Sequence, residues 1–466
     1  MPPAAASVAR VSVTDAQIAE LLEAVGAEDV VLAEPAMEAY RFDWARTPAG
    51  MPRAVVRARR AEQVQAAVRW AARHGIPVVP RGAGSGLAGG SAAIDGGLTI
   101  SLDRMTEVRI DAATRTAIAE PGALNVDVKK AAAAHGLSYP PDPSSFEICS
   151  IGGNVATNAG GLCCVKYGVT SDYVLGLDVV LADGRLITLG GQRVKDVAGL
   201  SLTKLFVGSE GTLGIVTRVV LRLVPAPPPP ATLVALFPTV RAAAETVVTI
   251  GGELRPSLVE FMDGRAINIT EDFLGMGLDR EAGAMLVIQC DAPGPARGAE
   301  IARVEALCEA AGATEVYATD DSEEGEAFLV ARRSFFPATE RLGALLIEDV
   351  GVPVPRLPEL LDGVADIARR HDTDIPVVAH AGDGNTHPNL IYDPKDPAAR
   401  ERAEAAFADI MALAISLGGT ITGEHGVGRT KRAALPDQLG SDVMSLNVAI
   451  KHALDPQGLL NPGAAF

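Results

Sequence analysis

Hydrophobic and polar positions in the first half of the chain predict short strands, one clear helix and Gly-rich turns. The run Arg53-Ala-Val-Val-Arg57 predicts a strand, 61–74 predicts a helix, and Ile76-Pro-Val-Val-Pro80 predicts an extended segment before a turn. This order is typical of an α/β unit. Further strands and one helix are predicted at 98–102, 174–181, 214–217 and about 124–135.

A proline-rich segment divides the chain into two parts. Val224-Pro-Ala-Pro-Pro-Pro-Pro230 predicts a stiff linker, because such a run cannot lie inside a helix or a sheet. The strands predicted after it are 231–236, 284–290, 344–350, 375–380 and 387–393, and the helices are about 239–251, 296–311, 357–371 and 397–417. We therefore expect domains at 1–226 and 231–440, with 441–466 returning to the first domain.

Composition narrows the class of protein. A chain of 466 residues, 48% of them hydrophobic, is long enough for two or three compact domains. No apolar run reaches the roughly 20 residues of a membrane helix, and segment 1–17 lacks the apolar core of a secretory signal. A net charge of -17 argues against nucleic-acid binding. We expect a cytoplasmic enzyme with a small-molecule substrate, and membrane association is left open.

The cysteines contain no C-x-x-C pair. They are Cys149, Cys163, Cys164, Cys290 and Cys308. This spacing argues against an iron–sulfur cluster, a zinc ribbon and a disulfide framework. We expect buried, reduced thiols.

A Gly-rich segment follows the extended segment that ends at Pro80. Segment 82–90 contains a G-x-G-x-x-G pattern, but 91–97 leads into another strand, whereas a dinucleotide fingerprint of the Rossmann fold opens directly into a helix. The bare backbone N–H groups still suit a pyrophosphate, and Arg81 adds positive charge. A purely structural turn is the alternative.

Two other segments have a similar composition: 140–161, which is too apolar for a disordered linker, and 208–216, at the head of a strand. At these three segments the sequence resembles the FAD-linked oxidases of the vanillyl-alcohol-oxidase type, which have the p-cresol methylhydroxylase flavin fold. The resemblance is to the branch of glycolate oxidase catalytic subunits, D-lactate dehydrogenases and D-2-hydroxyglutarate dehydrogenases. It runs from about residue 40 to Asn461.

The resemblance implies an α+β fold: a p-cresol-methylhydroxylase-type FAD-binding domain of two α/β subdomains, and a C-terminal cap domain with an antiparallel sheet flanked by helices. It implies that 81–87 bind the pyrophosphate, that 141–161 pass along the isoalloxazine and ribityl, and that 210–216 complete the site. The first loop lacks the His to which some members attach the flavin, so we expect non-covalent FAD. The implied flavin-binding residues are Pro80, Arg81, Gly82, Ala83, Gly84, Ser85, Gly86, Leu87, Pro141, Asp142, Ser145, Gly152, Gly153, Asn154, Thr157, Asn158, Gly160, Gly161, Tyr167, Gly168, Glu210, Gly211, Gly214, Ile215, Val216 and Asn461.

Histidines beside carboxylates predict a metal site. A strand ending at His380, a tight turn and a returning strand from His387 predict a hairpin in which the two rings face each other, with Cβ atoms about 5 Å apart. With Glu424, which lies between glycines, they form a two-His, one-carboxylate set. A hydrogen-bonded core histidine is the alternative for either ring. Metal-dependent members of the family match all three residues; Zn²⁺ is favoured, and Mn²⁺ and Fe²⁺ remain alternatives.

Three further residues match functional positions of the family. Side chains of neighbours in an extended segment point to opposite sides, so we expect His425 not to share an ion with Glu424. The resemblance makes His425 the general base, with a supporting hydrogen bond as its alternative role. It makes Arg332 the group that binds the substrate carboxylate and Asn389 a substrate contact.

Two departures from the family concern the substrate. D-2-hydroxyglutarate dehydrogenases carry Thr at the position of Phe336 and Lys at the position of Ile347, where they hold the distal carboxylate. An apolar pair cannot stabilise a second charge. We therefore expect lactate, glycolate or a 2-hydroxy acid with an apolar tail as the substrate, with D-lactate or glycolate favoured. We interpret Arg333 and Lys431 as solvated charges.

The resemblance implies an FAD-dependent dehydrogenase that oxidises a small D-2-hydroxy acid to the 2-oxo acid by metal-assisted hydride transfer to flavin N5. Alternatives to this dehydrogenase remain open. They are a D-2-hydroxyglutarate dehydrogenase, a flavin oxidase that uses O₂, a metal-dependent hydrolase and a non-catalytic flavin-binding module. Because the cysteines form no cluster, we expect electrons to pass to an external quinone, cytochrome, flavoprotein or iron–sulfur subunit. A homodimer is left open.

Overall fold

A computed structural model describes residues 13–466. Residues 1–12, which carry most of the segment interpreted as lacking a secretory signal, lie outside the described residues. Between residues 13 and 466, no helix is long and apolar enough to cross a membrane.

In this part of the chain the elements are numbered in order. The helices α1 to α14 are Asp15–Val25, Glu34–Met37, Ala61–His74, Asn125–Ala133, Ile151–Thr157, Cys164–Tyr167, Leu202–Phe206, Val240–Glu253, Gly264–Leu274, Pro295–Ala310, Ser322–Thr339, Leu357–His371, Pro397–Ser416 and Leu435–Leu454. The strands β1 to β19 are Val30–Val31, Ala54–Arg57, Val78–Arg81, Leu98–Ser101, Val108–Asp111, Thr116–Ala119, Leu137–Ser138, Val174–Val180, Leu186–Gly190, Ile215–Arg222, Val224–Pro225, Ala231–Phe237, Leu258–Asp263, Ala284–Cys290, Glu315–Thr319, Ala344–Ile347, Val350–Gly351, Val377–His380 and Asn385–Tyr392.

The first sheet has the order β1-β2-β4-β3, and β2, β4 and β3 run parallel. Helix α3 buries Val64, Ala67 and Trp70 against it, as the apolar spacing of 61–74 predicts. The chain leaves β3 at Arg81 and reaches β4 without forming a helix. This confirms that the Gly-rich pattern is not a Rossmann fingerprint.

The second sheet has the order β5-β6-β10-β8-β9, and its strand pairs are all antiparallel. Two details differ from expectation. Segment 140–161 contains the helix α5, which was not predicted because two of its residues are glycines, and glycine disfavours a helix. The proline-rich linker begins inside a sheet, because Val224 pairs with Ser138 in a two-stranded ribbon, where an edge position tolerates proline.

The third sheet is antiparallel and has the order β15-β12-β14-β13-β18-β19-β16, with β17 paired to β19. Helices α8, α10, α12 and α13 bury apolar side chains on one face, and α9 and α11 do so on the other. This confirms the antiparallel sheet flanked by helices. Strand β13 was not predicted, because Glu260 interrupts its apolar run. Helix α11 was not predicted either, because Pro337 lies inside it.

Helix α14 carries the end of the chain back to the N-terminal half. Gly440, with φ 75° and ψ 167°, breaks it into two parts. From the second part, Lys451 Nζ donates to the carbonyl oxygen of Thr212 at 2.6 Å. Leu460 then forms a parallel bridge with Val78 of the first sheet. The domain limits proposed from sequence stay predictions.

Candidate active site

A cavity of about 530 Å³ lies where the Gly-rich segments meet α11 and β19; we call it the flavin cavity. Most of the residues expected to bind flavin line it. They are Pro80, Arg81, Gly82, Ala83, Gly84, Ser85, Gly86, Leu87, Ser145, Gly152, Gly153, Asn154, Thr157, Glu210, Gly211, Gly214, Ile215 and Val216. The three Gly-rich segments, distant in sequence, thus share one wall.

The other expected flavin residues lie outside this lining. They are Pro141, Asp142, Asn158, Gly160, Gly161, Tyr167, Gly168 and Asn461. Asn461 supports the wall from behind, because its side-chain amide donates to the carbonyl oxygens of Gly90 at 2.7 Å and Glu210 at 2.8 Å. The Asp142 carboxylate accepts from the N–H of Cys163 at 3.1 Å.

Ser150 joins the first and second Gly-rich segments, and the sequence did not single it out. Its hydroxyl oxygen accepts from the N–H groups of Ala83 at 3.1 Å and Gly153 at 3.3 Å, which makes it the N-cap of α5. A Cβ at Gly82 would lie 2.3 Å from this oxygen. Gly82 is therefore required by the close approach of the two segments.

Glu210 links the flavin cavity to the loop that carries Glu424 and His425. Its carboxylate accepts from the N–H of Val427 at 2.8 Å and of Gly428 at 2.7 Å. Burial raises the pKa of Glu210 to about 7, although these two hydrogen bonds lower it.

The predicted hairpin is formed by β18 and β19, but its register differs from expectation. His380 pairs with Asn385, and His387 pairs with Val378. The expectation that the two histidines face each other directly is wrong, because the turn closes on the pair His380 and Asn385. His387 lies two positions further on, on the same face. The rings still meet diagonally, with centroids 5.0 Å apart.

His380, His387 and Glu424 fit a divalent cation. The Nε2 atoms of His380 and His387 lie 3.3 Å and 3.4 Å from Glu424 Oε1. Ligands about 2.1 Å from a tetrahedral ion are about 3.4 Å apart. His380 Nδ1 lies 2.7 Å from Glu260 Oε1, so this nitrogen donates its proton to that carboxylate; with a cation bound, Nε2 would give up its own proton and point a lone pair toward the ion and Glu424. A positive charge between the Nε2 lone pair of His380 and the Glu424 carboxylate removes the repulsion between them.

The electrostatics of these residues agree with a cation site. Burial lowers the pKa of His387 to about 3, and the charge of His380 contributes, so that His387 is neutral at neutral pH. Burial favours the neutral form of Glu424, but His380 and His387 lower its pKa to about 2. Burial also opposes a charge on His380, yet Glu260 and Glu424 raise its pKa well above the ordinary range. The carboxylates thus stabilise one positive charge between them.

Asp349 organises the loop that carries Glu424, and it was missed by sequence reasoning. This fully buried carboxylate accepts from the backbone N–H groups of Gly423 at 3.0 Å, Glu424 at 3.0 Å and His425 at 2.8 Å, and from Thr422 Oγ1 at 2.7 Å. Its only signal in the sequence is an acidic pair after an apolar strand.

Because the loop wraps around Asp349, its side chains do not alternate as in a strand. His425 Nε2 lies 3.7 Å from Glu424 Oε1, and the ring of His425 stacks on His387 with centroids 5.1 Å apart. The expectation that Glu424 and His425 point to opposite sides is therefore wrong. His425 lines the flavin cavity beside His387 and Glu424.

Glu260, also missed, holds two predicted site residues at once. Its Oε2 lies 2.8 Å from Nε of Arg332, on α11, and its Oε1 is the partner of His380. Both partners of the Arg332 ion pair are buried. Arg332 and Asn389 line the flavin cavity, and the buried Asn389 Oδ1 has no hydrogen-bond partner among residues 13–466.

Apolar side chains form the part of the flavin-cavity wall near Arg332. Phe336 and Ile347 both line the flavin cavity, and the ring of Phe336 lies 6.4 Å from that of Trp44. Arg333 is half-buried and lines the cavity as well, with its guanidinium 5.9 Å from the ring centre of Phe146. Its interpretation as a solvated charge is wrong only in part, because the guanidinium also pairs with the exposed Glu326 at the surface.

Lys431 was also interpreted wrongly as solvated. It is buried beneath the Glu424 loop, where Nζ donates to Glu348 Oε2 and to the carbonyl oxygen of Ile421, both at 2.7 Å.

The cysteines are free thiols, as expected, but only three are fully buried. Cys149, Cys290 and Cys308 are buried, whereas Cys163 and Cys164 are half-buried. Burial raises the pKa of Cys290 and of Cys308 to about 12, which leaves them protonated and unreactive.

Two family profiles match the chain. The profile described as FAD binding domain matches residues 52–190, and the one described as FAD linked oxidases, C-terminal domain, matches residues 226–465. The chain belongs to the FAD-linked oxidase family. It is an FAD-dependent oxidoreductase, and the flavin expected from its Gly-rich segments is confirmed as its cofactor.

Relatives of this FAD-linked oxidase extend over nearly the whole chain. The glycolate oxidase subunit GlcD of Bacillus subtilis strain 168 is 41% identical over 96% of this chain and 96% of its own. A D-lactate dehydrogenase of Archaeoglobus fulgidus is 36% identical over 92% of this chain and 96% of its own. The expected branch of the family is therefore confirmed.

The fold has a counterpart among solved structures. A crystal structure of p-cresol methylhydroxylase with substrate bound has a TM-score of 0.80, covers 97% of both chains and is 18% identical in sequence. This confirms the expected flavin fold of the FAD-linked oxidase.

Proposed function

We propose that this FAD-linked oxidase oxidises a small D-2-hydroxy acid with one carboxylate, D-lactate or glycolate, to the 2-oxo acid. A divalent cation held by His380, His387 and Glu424 assists the reaction. The electrons leave to an external acceptor, which is a quinone, a cytochrome, a flavoprotein or an iron–sulfur subunit.

One observation carries the proposal. Arg332, Asn389 and His425 line the same cavity as the Gly-rich flavin segments, although they come from a helix, a strand and a loop far apart in sequence. His387 and Glu424 line it too. A carboxylate-binding group, a base and a cation site thus face the space where the flavin binds.

The bound flavin would supply a hydride acceptor, and the cation a Lewis acid that lowers the pKa of the substrate hydroxyl. Arg332 binds the substrate carboxylate with its planar fork, and Glu260 holds that fork in place. Asn389 orients the substrate through its unpartnered Oδ1, which can accept a hydrogen bond. His425 receives the hydroxyl proton at a ring nitrogen beside Glu424.

The wall near Arg332 selects the substrate. Phe336 and Ile347 offer no donor to a second carboxylate, and leaving such a charge unpaired in a buried site is costly. A methyl group or a hydrogen atom at this position meets apolar surface instead. Monocarboxylates are therefore preferred over D-2-hydroxyglutarate.

Steady-state dye reduction with D-lactate, glycolate, L-lactate and D-2-hydroxyglutarate tests the substrate. We expect kcat/KM for D-lactate or glycolate to exceed that for D-2-hydroxyglutarate by roughly 100-fold, since an unpaired buried charge costs at least about 3 kcal/mol. Fastest turnover of D-2-hydroxyglutarate would overturn the assignment. Stoichiometric peroxide without added dye would instead indicate an oxidase that uses O₂.

A further inference from the structure

A second cavity, of about 500 Å³, meets the cation site from a different side. We call it the rear cavity; it is bounded by 160–169, 351–353, 383–385 and 418–424. His387 lines only the flavin cavity, His380 lines only the rear cavity, and Glu424 lines both. The Glu424 carboxylate therefore lies in the wall between them.

The rear cavity carries charge that attracts cations. His380, Asp383 and Glu424 are its ionisable residues besides one thiol, and the described lining contains no Lys or Arg. Asp383 is solvent-exposed within the cavity, and Gly418 and Gly423 are exposed along the same rim. Carboxylates of one sign in a concave site raise the local concentration of the opposite charge.

An unpartnered oxygen lies between the rim and the cation site. Asn385 is only 8% exposed, and its Oδ1 has no hydrogen-bond partner in the described part of the chain. A Cβ at Gly423 would lie 2.4 Å from this oxygen, and a Cβ at Gly160 would lie 2.8 Å from Glu424 Oε2. Bare backbone at these two glycines leaves room beside both oxygens, which a side chain at either position would fill.

The flavin cavity offers a poorer path for an ion. Bound FAD and substrate would fill it during turnover, and Phe336 and Ile347 make part of its wall apolar. A cation that crossed it would exchange its water for apolar surface, which is costly. The rear cavity instead provides oxygen ligands of the kind that hard cations accept while they lose water.

We propose that the rear cavity is the route by which the divalent cation enters and leaves, with Asp383 and Asn385 as transient oxygen ligands before His380 and Glu424. This inference rests on the proposed cation site. It assigns to the rear cavity a role in metal exchange that is separate from substrate binding.

Metal exchange in the FAD-loaded protein tests the route. Val169→Trp places a bulky side chain in the rear cavity, and Val197→Trp places one at a residue that is 98% exposed and lines neither cavity. Release of Zn²⁺ to a chromogenic chelator and uptake by the stripped protein are followed by stopped flow. We expect Val169→Trp to slow both rates by the same factor, roughly 5-fold or more, with an unchanged Kd, because a gate alters only the barrier.

A second variant tests the charge. Asp383→Asn should slow uptake several-fold at low ionic strength and less at high salt, because screening removes the attraction. The control Asp127→Asn removes an exposed carboxylate on α4 and should have no such effect. Wild-type exchange rates in both Val169→Trp and Asp383→Asn would overturn the route. Wild-type protein that binds neither Zn²⁺ nor Mn²⁺ would refute the cation site itself before any variant is compared.

Discussion

At the scale of single residues, the site depends on buried carboxylates that do not line the flavin cavity. Glu260 fixes Arg332 and the tautomer of His380, and Asp349 fixes the backbone beneath Glu424 and His425. Outer partners of this kind orient the ligands and set their basicity. They explain how residues from α11, β18 and the Glu424 loop keep one geometry.

Glu260→Gln tests this arrangement. The amide cannot compensate the charge of Arg332 or accept from His380 as strongly, so we expect the affinity for Zn²⁺ to fall by roughly 10- to 100-fold and KM to rise. Chelator competition measures the affinity, and initial rates give KM. The exposed control Glu23→Gln on α1 should change neither quantity. Unchanged affinity in Glu260→Gln would show that Glu260 does not position His380.

At the scale of elements, α5 shows how a short helix holds two Gly-rich segments of the flavin cavity together. Its N-cap Ser150 also accepts from Ala83, so one hydroxyl serves the helix and the first Gly-rich segment. Thr239 caps α8 through the N–H of Ala242 at 3.2 Å but lines neither cavity. Comparing variants of the two caps therefore separates the contribution of a cap to helix stability from a contribution to FAD binding.

Ser150→Ala and Thr239→Ala should each lower the free energy of unfolding by about 1 kcal/mol through loss of the cap. Only Ser150→Ala should also speed FAD release, because it frees the N–H of Ala83 beside the expected pyrophosphate position. Thermal unfolding and the return of flavin fluorescence on dilution measure the two effects. Equal FAD release from both variants would contradict a special role for Ser150.

At the scale of the whole molecule, α14 joins the end of the chain to the N-terminal half. Lys451 Nζ lies 2.5 Å from Asp455, which is buried, and also donates to Thr212 and Leu460. On α13, Arg400 and Glu404 have the same i,i+4 spacing at the surface, 2.7 Å apart. The two pairs differ in burial and in what they connect.

Lys451→Met leaves the buried carboxylate of Asp455 without its cation, so we expect a loss of roughly 3 kcal/mol of unfolding free energy. The matched change Arg400→Met should cost less than about 0.5 kcal/mol, because water screens the exposed pair. The shift of the urea midpoint measures both. A small loss in Lys451→Met would mean that its attachment contributes little to the stability of the molecule.

The sequence by itself determined which chemistry this protein carries. Helix α3 and strand β14 follow from apolar periodicity, and the Gly-rich segments, His380, His387 and Glu424 are visible as residue types at informative spacings. Local signals of this kind are sufficient where neighbours in the chain are also neighbours in space.

Tertiary structure alone decided how these residues meet. The register of β18 and β19 made the two histidines diagonal neighbours, and the buried carboxylate of Asp349 bent the loop so that Glu424 and His425 share one side. Nothing in the sequence marks Glu260 and Lys431 as important. Their burial, and the oppositely charged partners that each of them meets there, result from tertiary packing. The rear cavity has no sequence signal, since it exists only where segments distant in the chain leave space between them.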